Sequence, residues 1–86
     1  MQREDDPDKF QRHVGDVVML RLGNAMYEGW NEHQQCFYGQ VFVNVGEVLT
    51  VIDVKRLNGK DVVRVASADG FLWADATSLI TLVKSR

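Results

Sequence analysis

Val43–Leu82 reads VNVGEVLTVIDVKRLNGKDVVRVASADGFLWADATSLITL, and its alternation of apolar runs with short turn signals decides the fold class. Asn58-Gly59 lies between two such runs. Both central residues of a type I′ turn need positive φ, a requirement that Asn-Gly meets. Val48–Lys55 is therefore expected to pair antiparallel with Asp61–Ala66. The stretch VLTVIDV is rich in β-branched residues and has no apolar period of 3.6. Asp69-Gly70 repeats the device and leads into a strand at Phe71–Trp73. Asp75–Ser78 suits a single helical turn, and Leu79–Val83 a closing strand.

Working toward the N-terminus, Gly46-Glu47 turns the chain into that block from a strand at Phe37–Val45. There Val41, Val43 and Val45 share one face, opposite Gln40, Phe42 and Asn44. Gly15-Asp16 introduces a first strand at Val17–Leu22, with Val18, Leu20 and Leu22 on one side. Asn24–Cys36 (NAMYEGWNEHQQC) has no clean period and reads as a long irregular loop, a feature more often functional than neutral in a small domain. Met1–Gln11 is polar, and its acidic cluster Glu4, Asp5, Asp6 and Asp8 holds most of the negative excess. The organisation expected is a flexible acidic tail over 1–12 and one domain over 13–86.

The order of these elements resembles that of an Src-homology-3 domain from Val41 to Leu82. GEVLTVI is similar to that family's strand entered from a Gly-acidic turn. KDVVRVASADGFLWADATSLITL is similar to its later strands, single helical turn and closing strand. The resemblance implies an all-β fold, a small five-stranded barrel with a long aromatic loop after the first strand, in the position of the family's RT loop. It also implies core positions at Val43, Leu49, Val51, Val65 and Leu79; period-two alternation independently assigns Leu49 and Val51 to one face. The family binds proline-rich peptides on aromatic faces. Here Val62 stands for its tryptophan, Asp75 for its proline and Ser78 for its tyrosine, and the Ala-Leu-Tyr-Asp-Tyr strand is missing. The proline-rich ligand is not carried over.

Composition narrows the function classes. Eighty-six residues with net charge −2 make one domain that is close to neutral once the tail is set aside. That gives no electrostatic case for nucleic acid or an anionic membrane. One cysteine, Cys36, cannot close an intramolecular disulfide. No apolar run reaches the roughly 20 residues of a membrane span, and a cytoplasmic location is expected.

The strongest functional signal is the aromatic loading of the long loop, with Tyr27, Trp30 and Tyr38 as partner-binding candidates and Met26 beside them. Tyrosine and tryptophan are favoured interface anchors. Phe37, next to a strand, is expected to fold back on the barrel, and Trp73 to sit in the core or at the rim. His33 and Cys36 offer two metal ligands where structural zinc needs four, and no base, orienter and cleft come together for catalysis. Neither a cofactor nor an enzymatic activity is expected. Asp53, Asp61, Asp69 and Asp75 fall at turns or outward positions and read as solvated. Lys55, Arg56, Lys60 and Arg64 surround the Asn58-Gly59 hairpin. A solvated hairpin end accounts for them, and contact with nucleic acid is the alternative. The expected function is a non-enzymatic protein-binding module (adaptor, regulator or small inhibitor) that docks on a protein partner through residues 24–38. The alternatives are a nucleic-acid-binding barrel using residues 55–64 and a subunit of a homo-oligomer paired through edge strands.

Overall fold

Period-two burial organises the chain into strands whose buried faces meet in one core. The computed structural model describes residues 12–44, 46–57, 60–68 and 70–85; the acidic tail before residue 12, the Asn58-Gly59 pair, Val45 and Asp69 lie outside the described residues. Seven strands follow in order: β1 (Val17–Leu20), β2 (Met26–Asn31), β3 (Cys36–Val41), β4 (Leu49–Leu57), β5 (Lys60–Ser67), β6 (Gly70–Asp75) and β7 (Leu79–Val83), with a 3₁₀ turn at Ala76–Ser78. They form one antiparallel sheet in the order β3-β2-β6-β5-β4-β1-β7. The sheet curls into a half-barrel whose edges are β3 and β7.

The block Val43–Leu82 folds in the expected sense. β4 and β5 pair antiparallel from Thr50↔Ala66 to Leu57↔Lys60, on either side of Asn58-Gly59. β5 and β6 pair from Val62↔Asp75 to Ser67↔Gly70. The 3₁₀ turn follows Asp75, whose carboxylate accepts hydrogen bonds from the Thr77 backbone N–H (3.0 Å) and hydroxyl (2.8 Å). A register shift between Val51 and Asp53 bends β4, as an extra residue in one strand does. Its start can then pair with β1 through Val18↔Leu49 while the rest pairs with β5.

Val18, Leu20, Met26, Leu49, Val51, Val63, Val65, Ala74 and Leu79 make the core, with Val43, Val54 and Leu72 packed against it. Four of the five expected core positions are in that cluster, and Val43 lies on its margin.

Several expectations are corrected. Among the described residues there are seven strands rather than the five of the expected barrel: six of them overlap strands expected from the sequence, and the seventh, β2, lies in Asn24–Cys36, which is not an irregular loop. Most of it belongs to the β2–β3 hairpin, paired from Met26↔Val41 to Asn31↔Cys36. Glycine at position 29 erases the alternation that would have revealed β2. Its missing side chain is needed, since a Cβ there would fall 1.9 Å from the Tyr38 ring. The first strand stops at Leu20, and Leu22 is 82% exposed. The Arg21 N–H bonds the Ser78 carbonyl (2.8 Å) and Asn24 N–H bonds the Arg21 carbonyl (3.2 Å), turning the chain away. The next strand ends at Val41 and leaves Phe42 98% exposed.

Two residues read as solvated are fully buried: Arg12, placed with the tail, and Asp61, placed among the turn carboxylates. The Arg12 guanidinium donates to the carbonyls of Ala76 (3.1 Å) and Leu79 (2.9 Å) and to the Thr81 hydroxyl. Its backbone N–H donates to Asp61 (2.7 Å), which also accepts from the Arg56 guanidinium at 3.0 and 3.2 Å. Buried Asp16 draws the two ends of the domain together, accepting from the backbone N–H groups of His13 (3.0 Å) and Ser85 (2.7 Å).

Burial pushes the Asp16 carboxyl toward a higher pKa, but the Ser85 and His13 N–H groups, with the charges of Lys84 and His13, outweigh it and hold the value below that of an ordinary aspartate. A carboxyl whose pKa is lower folded than unfolded stabilises fully above its unfolded value, about 4, and loses that contribution as pH falls through the folded value. Equilibrium urea melts should therefore show stability declining below about pH 4. Asp16→Asn should be less stable at neutral pH and have a flatter acid limb; an unchanged limb would remove Asp16 from the account.

Candidate functional site

The β2–β3 hairpin stands at one edge of the sheet, joined to it through Tyr27↔Trp73 on β6. Its turn is set locally: Asn31 Oδ1 accepts from the Gln34 N–H (2.9 Å), and Gln35 takes a positive φ of 53°. An asparagine side chain that bonds the backbone a few residues on is a turn-forming device. An exposed ion pair, Lys55 Nζ to Glu32 Oε1 at 3.1 Å, connects this turn to β4. Such pairs contribute about 0–1 kcal/mol, so it orients the turn more than it holds it.

The hairpin aromatics pack on one another. Phe37 stacks on Tyr27 with centroids 4.6 Å apart and planes 10° from parallel, and meets Trp30 edge-on at 5.0 Å and 66°. Each such pair adds about 0.5–1.5 kcal/mol beyond area burial. All three rings remain half-buried. Tyr38 is 56% exposed, its ring occupying the space over Gly29.

Trp30, Cys36 and Phe37 form one wall of an open cleft of about 380 Å³, completed by Leu57 and Val62 from the β4–β5 hairpin and by Asp75 before the 3₁₀ turn. The surfaces around it are mainly apolar. The Trp30 indole Nε1 is buried and has no hydrogen-bond partner among the described residues. Buried donors are nearly always paired, and this one is an exception among the described residues. The Cys36 thiol is exposed, 3.8 Å from Gln34 Oε1.

Of the partner-binding candidates, Tyr27, Trp30 and Tyr38 share the hairpin surface. Met26 does not: it is wholly buried in the core, beyond the reach of a partner while the domain is folded. Phe37 turns back as expected, but onto Tyr27 and Trp30 rather than over the barrel. The basic residues whose side chains are described each have a partner of their own. Lys55 is paired with Glu32 and Arg56 with buried Asp61. The Arg64 guanidinium lies over the Phe71 and Trp73 rings, 4.8 and 5.8 Å from their centroids. Lys60 lies in β5, and its side chain is outside the described residues. Leu57, Val62 and Asp75 were not among the site candidates. Period-two patterning marks where a strand is buried but not which side chains from separate hairpins converge; only the mapping of Val62 and Asp75 onto groove positions hinted at it.

No helix is long and apolar enough to cross a membrane, and no group of three or more His, Cys, Asp or Glu is placed to hold a metal ion, both among the described residues. No known family model, curated protein or solved structure matches this chain.

The hairpin's geometry rests on the fit of Tyr38 over Gly29. Gly29→Ala should destabilise the domain measurably, because the new methyl must displace the ring. In a Tyr38→Ala background the same substitution should cost little. Additive losses in this double-mutant cycle would mean that the two sites do not interact.

Proposed function

We propose that this chain is a non-enzymatic protein-binding module on an Src-homology-3-like barrel, acting as an adaptor, a regulator or a small inhibitor. A segment of a protein partner docks in the cleft between the β2–β3 and β4–β5 hairpins. The observation that carries this is the convergence of Trp30, Phe37, Leu57 and Val62 around an open cleft with an unpartnered indole N–H in its wall. Aromatic and aliphatic side chains give a docking segment apolar area. Asp75 adds a carboxylate at the margin. Tyr27 and Tyr38 extend the surface along the hairpin.

The barrel assignment draws support from the strand order. β1 pairs with both β4 and β7, and the helical turn separates β6 from β7. The β2–β3 hairpin occupies the position the resemblance gives to the RT loop. The positions that the resemblance gives to the family's groove tryptophan, proline and tyrosine hold Val62, Asp75 and Ser78 here, so the proline-rich ligand is not carried over. The pairing of Lys55, Arg56 and Arg64 with separate partners weighs, among the described side chains, against the nucleic-acid alternative.

Heteronuclear spectra of the labelled chain, titrated with partner-derived or selected peptides, test this. Shifts should centre on the Trp30 indole, Cys36, Leu57 and Val62. Trp30→Ala should weaken binding at least tenfold, the effect of losing an anchor worth about 2 kcal/mol. A PxxP peptide should show no micromolar binding. Strongly salt-dependent oligonucleotide binding abolished by Lys55→Ala with Arg56→Ala would replace the proposal with the nucleic-acid alternative.

A further inference from the structure

The two edges of the sheet are treated differently. At β7 the Arg12 guanidinium takes the Leu79 carbonyl and the Thr81 hydroxyl, and Lys84 follows the strand directly. Charged groups of this kind blunt an edge against pairing with another chain. The β3 strand itself carries no charged side chain. From Gln35 to Asn44 the chain reads QCFYGQVFVN, ten residues without a charge or a proline. Among the described residues no strand pairs with the outer side of β3. Alternate residues of an edge strand point both their N–H and C=O groups outward, so Cys36–Val41 offers about 20 Å of open ladder.

Gly39 adds a specific chemical mark. It lies on β3 at a φ of 71°, and a Cβ there would fall 2.2 Å from Glu28 Cγ and 2.4 Å from Glu28 Oε2. The register Tyr27↔Gln40 and Gly29↔Tyr38 brackets Glu28 and Gly39. The Glu28 side chain on β2 thus lies over the glycine, which puts its carboxylate on the face of the edge strand β3. That carboxylate is exposed and makes no hydrogen bond or ion pair among the described residues. The edge also runs between two clefts. The cleft of the proposed function meets Cys36 and Phe37, and a second, of about 330 Å³, meets Val41, Phe42 and Glu28 at the other end.

We infer that the outer edge of β3 receives an extended segment of a protein partner, which adds an eighth strand and presents a Lys or Arg to Glu28. The backbone ladder supplies the affinity, and alternate side chains enter the clefts at the two ends. Charge selects this occupant over a second copy. Two β3 edges paired antiparallel about Gly39 would bring two Glu28 carboxylates toward each other, whereas a basic segment neutralises the one present. The inference rests on the chain being a binding module, but not on the Trp30 cleft as the anchor.

Panning a phage-displayed library of random twelve-residue peptides on the full chain, in parallel with its Glu28→Lys variant, tests it. Glu28 is exposed, so the variant should keep the fold; a matching amide spectrum verifies this. Peptides enriched on the unaltered chain should carry a Lys or Arg within a β-branched or aromatic run. They should bind Glu28→Lys at least tenfold more weakly and lose binding when alternate backbone amides are N-methylated, while slowing exchange of the Cys36–Val41 amides. Peptides that bind both proteins equally, or tolerate every N-methylation, would overturn the edge site. Peptides lost with Trp30→Ala but not with Glu28→Lys would overturn it too, while leaving the cleft proposal intact. Edge peptides unaffected by Trp30→Ala would uphold it and count against the cleft. Absence of any enriched peptide would overturn it as well, and a dimer mass in sedimentation would then assign the edge to a second copy.

Discussion

A buried guanidinium is expensive to keep, and the fold is arranged around the one at Arg12. Taking an ion out of water costs several kcal/mol unless hydrogen bonds replace its hydration. Here the carbonyls of Ala76 and Leu79 and the Thr81 hydroxyl do so, all from the 3₁₀ turn and β7. The Arg12 backbone N–H goes to Asp61 on β5, and Asp61 accepts in turn from Arg56 on β4. One residue therefore connects the entry of the chain to β5, to the helical turn and to the last strand. Asp16 repeats the logic with opposite charge, accepting from Ser85 at one end of the domain and His13 at the other. A small half-barrel has little core to rely on, and these two buried charges hold its ends where the apolar cluster of β1, β4, β5, β6 and β7 cannot.

With the ends held, the β2–β3 hairpin is left to other work. It joins the core through Met26 and the sheet through Tyr27↔Trp73, and otherwise packs on itself through Phe37, Tyr27 and Trp30. Its aromatics sit where two hairpins approach, its outer strand is uncharged, and its two glycines let Tyr38 and Glu28 lie across the ribbon. A core strand has no use for that combination. Both the proposed cleft site and the inferred β3-edge site draw on this same hairpin.

The block Val43–Leu82 was legible because its strands obey local rules. β-branched residues alternate at period two in β4 and β5, Asn58-Gly59 separates them, and Asp75 ahead of Ala76 caps a turn. Leu79–Val83 was placed to the residue. Of the β2–β3 hairpin only the second strand was legible, within Phe37–Val45; β2 was hidden because Gly29 serves the close approach of the Tyr38 ring rather than burial, and the alternation is lost there. Arg12 and Asp61 were misread for a related cause. Charge next to a polar tail or a turn normally means solvation, and only the tertiary fold supplies the partners that make burial tolerable. The cleft combines residues about 45 positions apart, Trp30 and Asp75 among them, and no pattern along the chain joins them.

Native-state hydrogen exchange on the unaltered chain and on Arg12→Met separates the half-barrel from its hairpin. Amides of β1, β4, β5, β6 and β7 should exchange through one common opening, and β2–β3 amides through a separate, less costly one. In Arg12→Met the common opening should become easier by about 1–3 kcal/mol, because the buried Ala76 and Leu79 carbonyls lose their donors, with the hairpin's own opening almost unchanged. Equal changes in both sets, or none in the strands of the main sheet, would contradict the claim that Arg12 holds the half-barrel and leaves the hairpin free to bind.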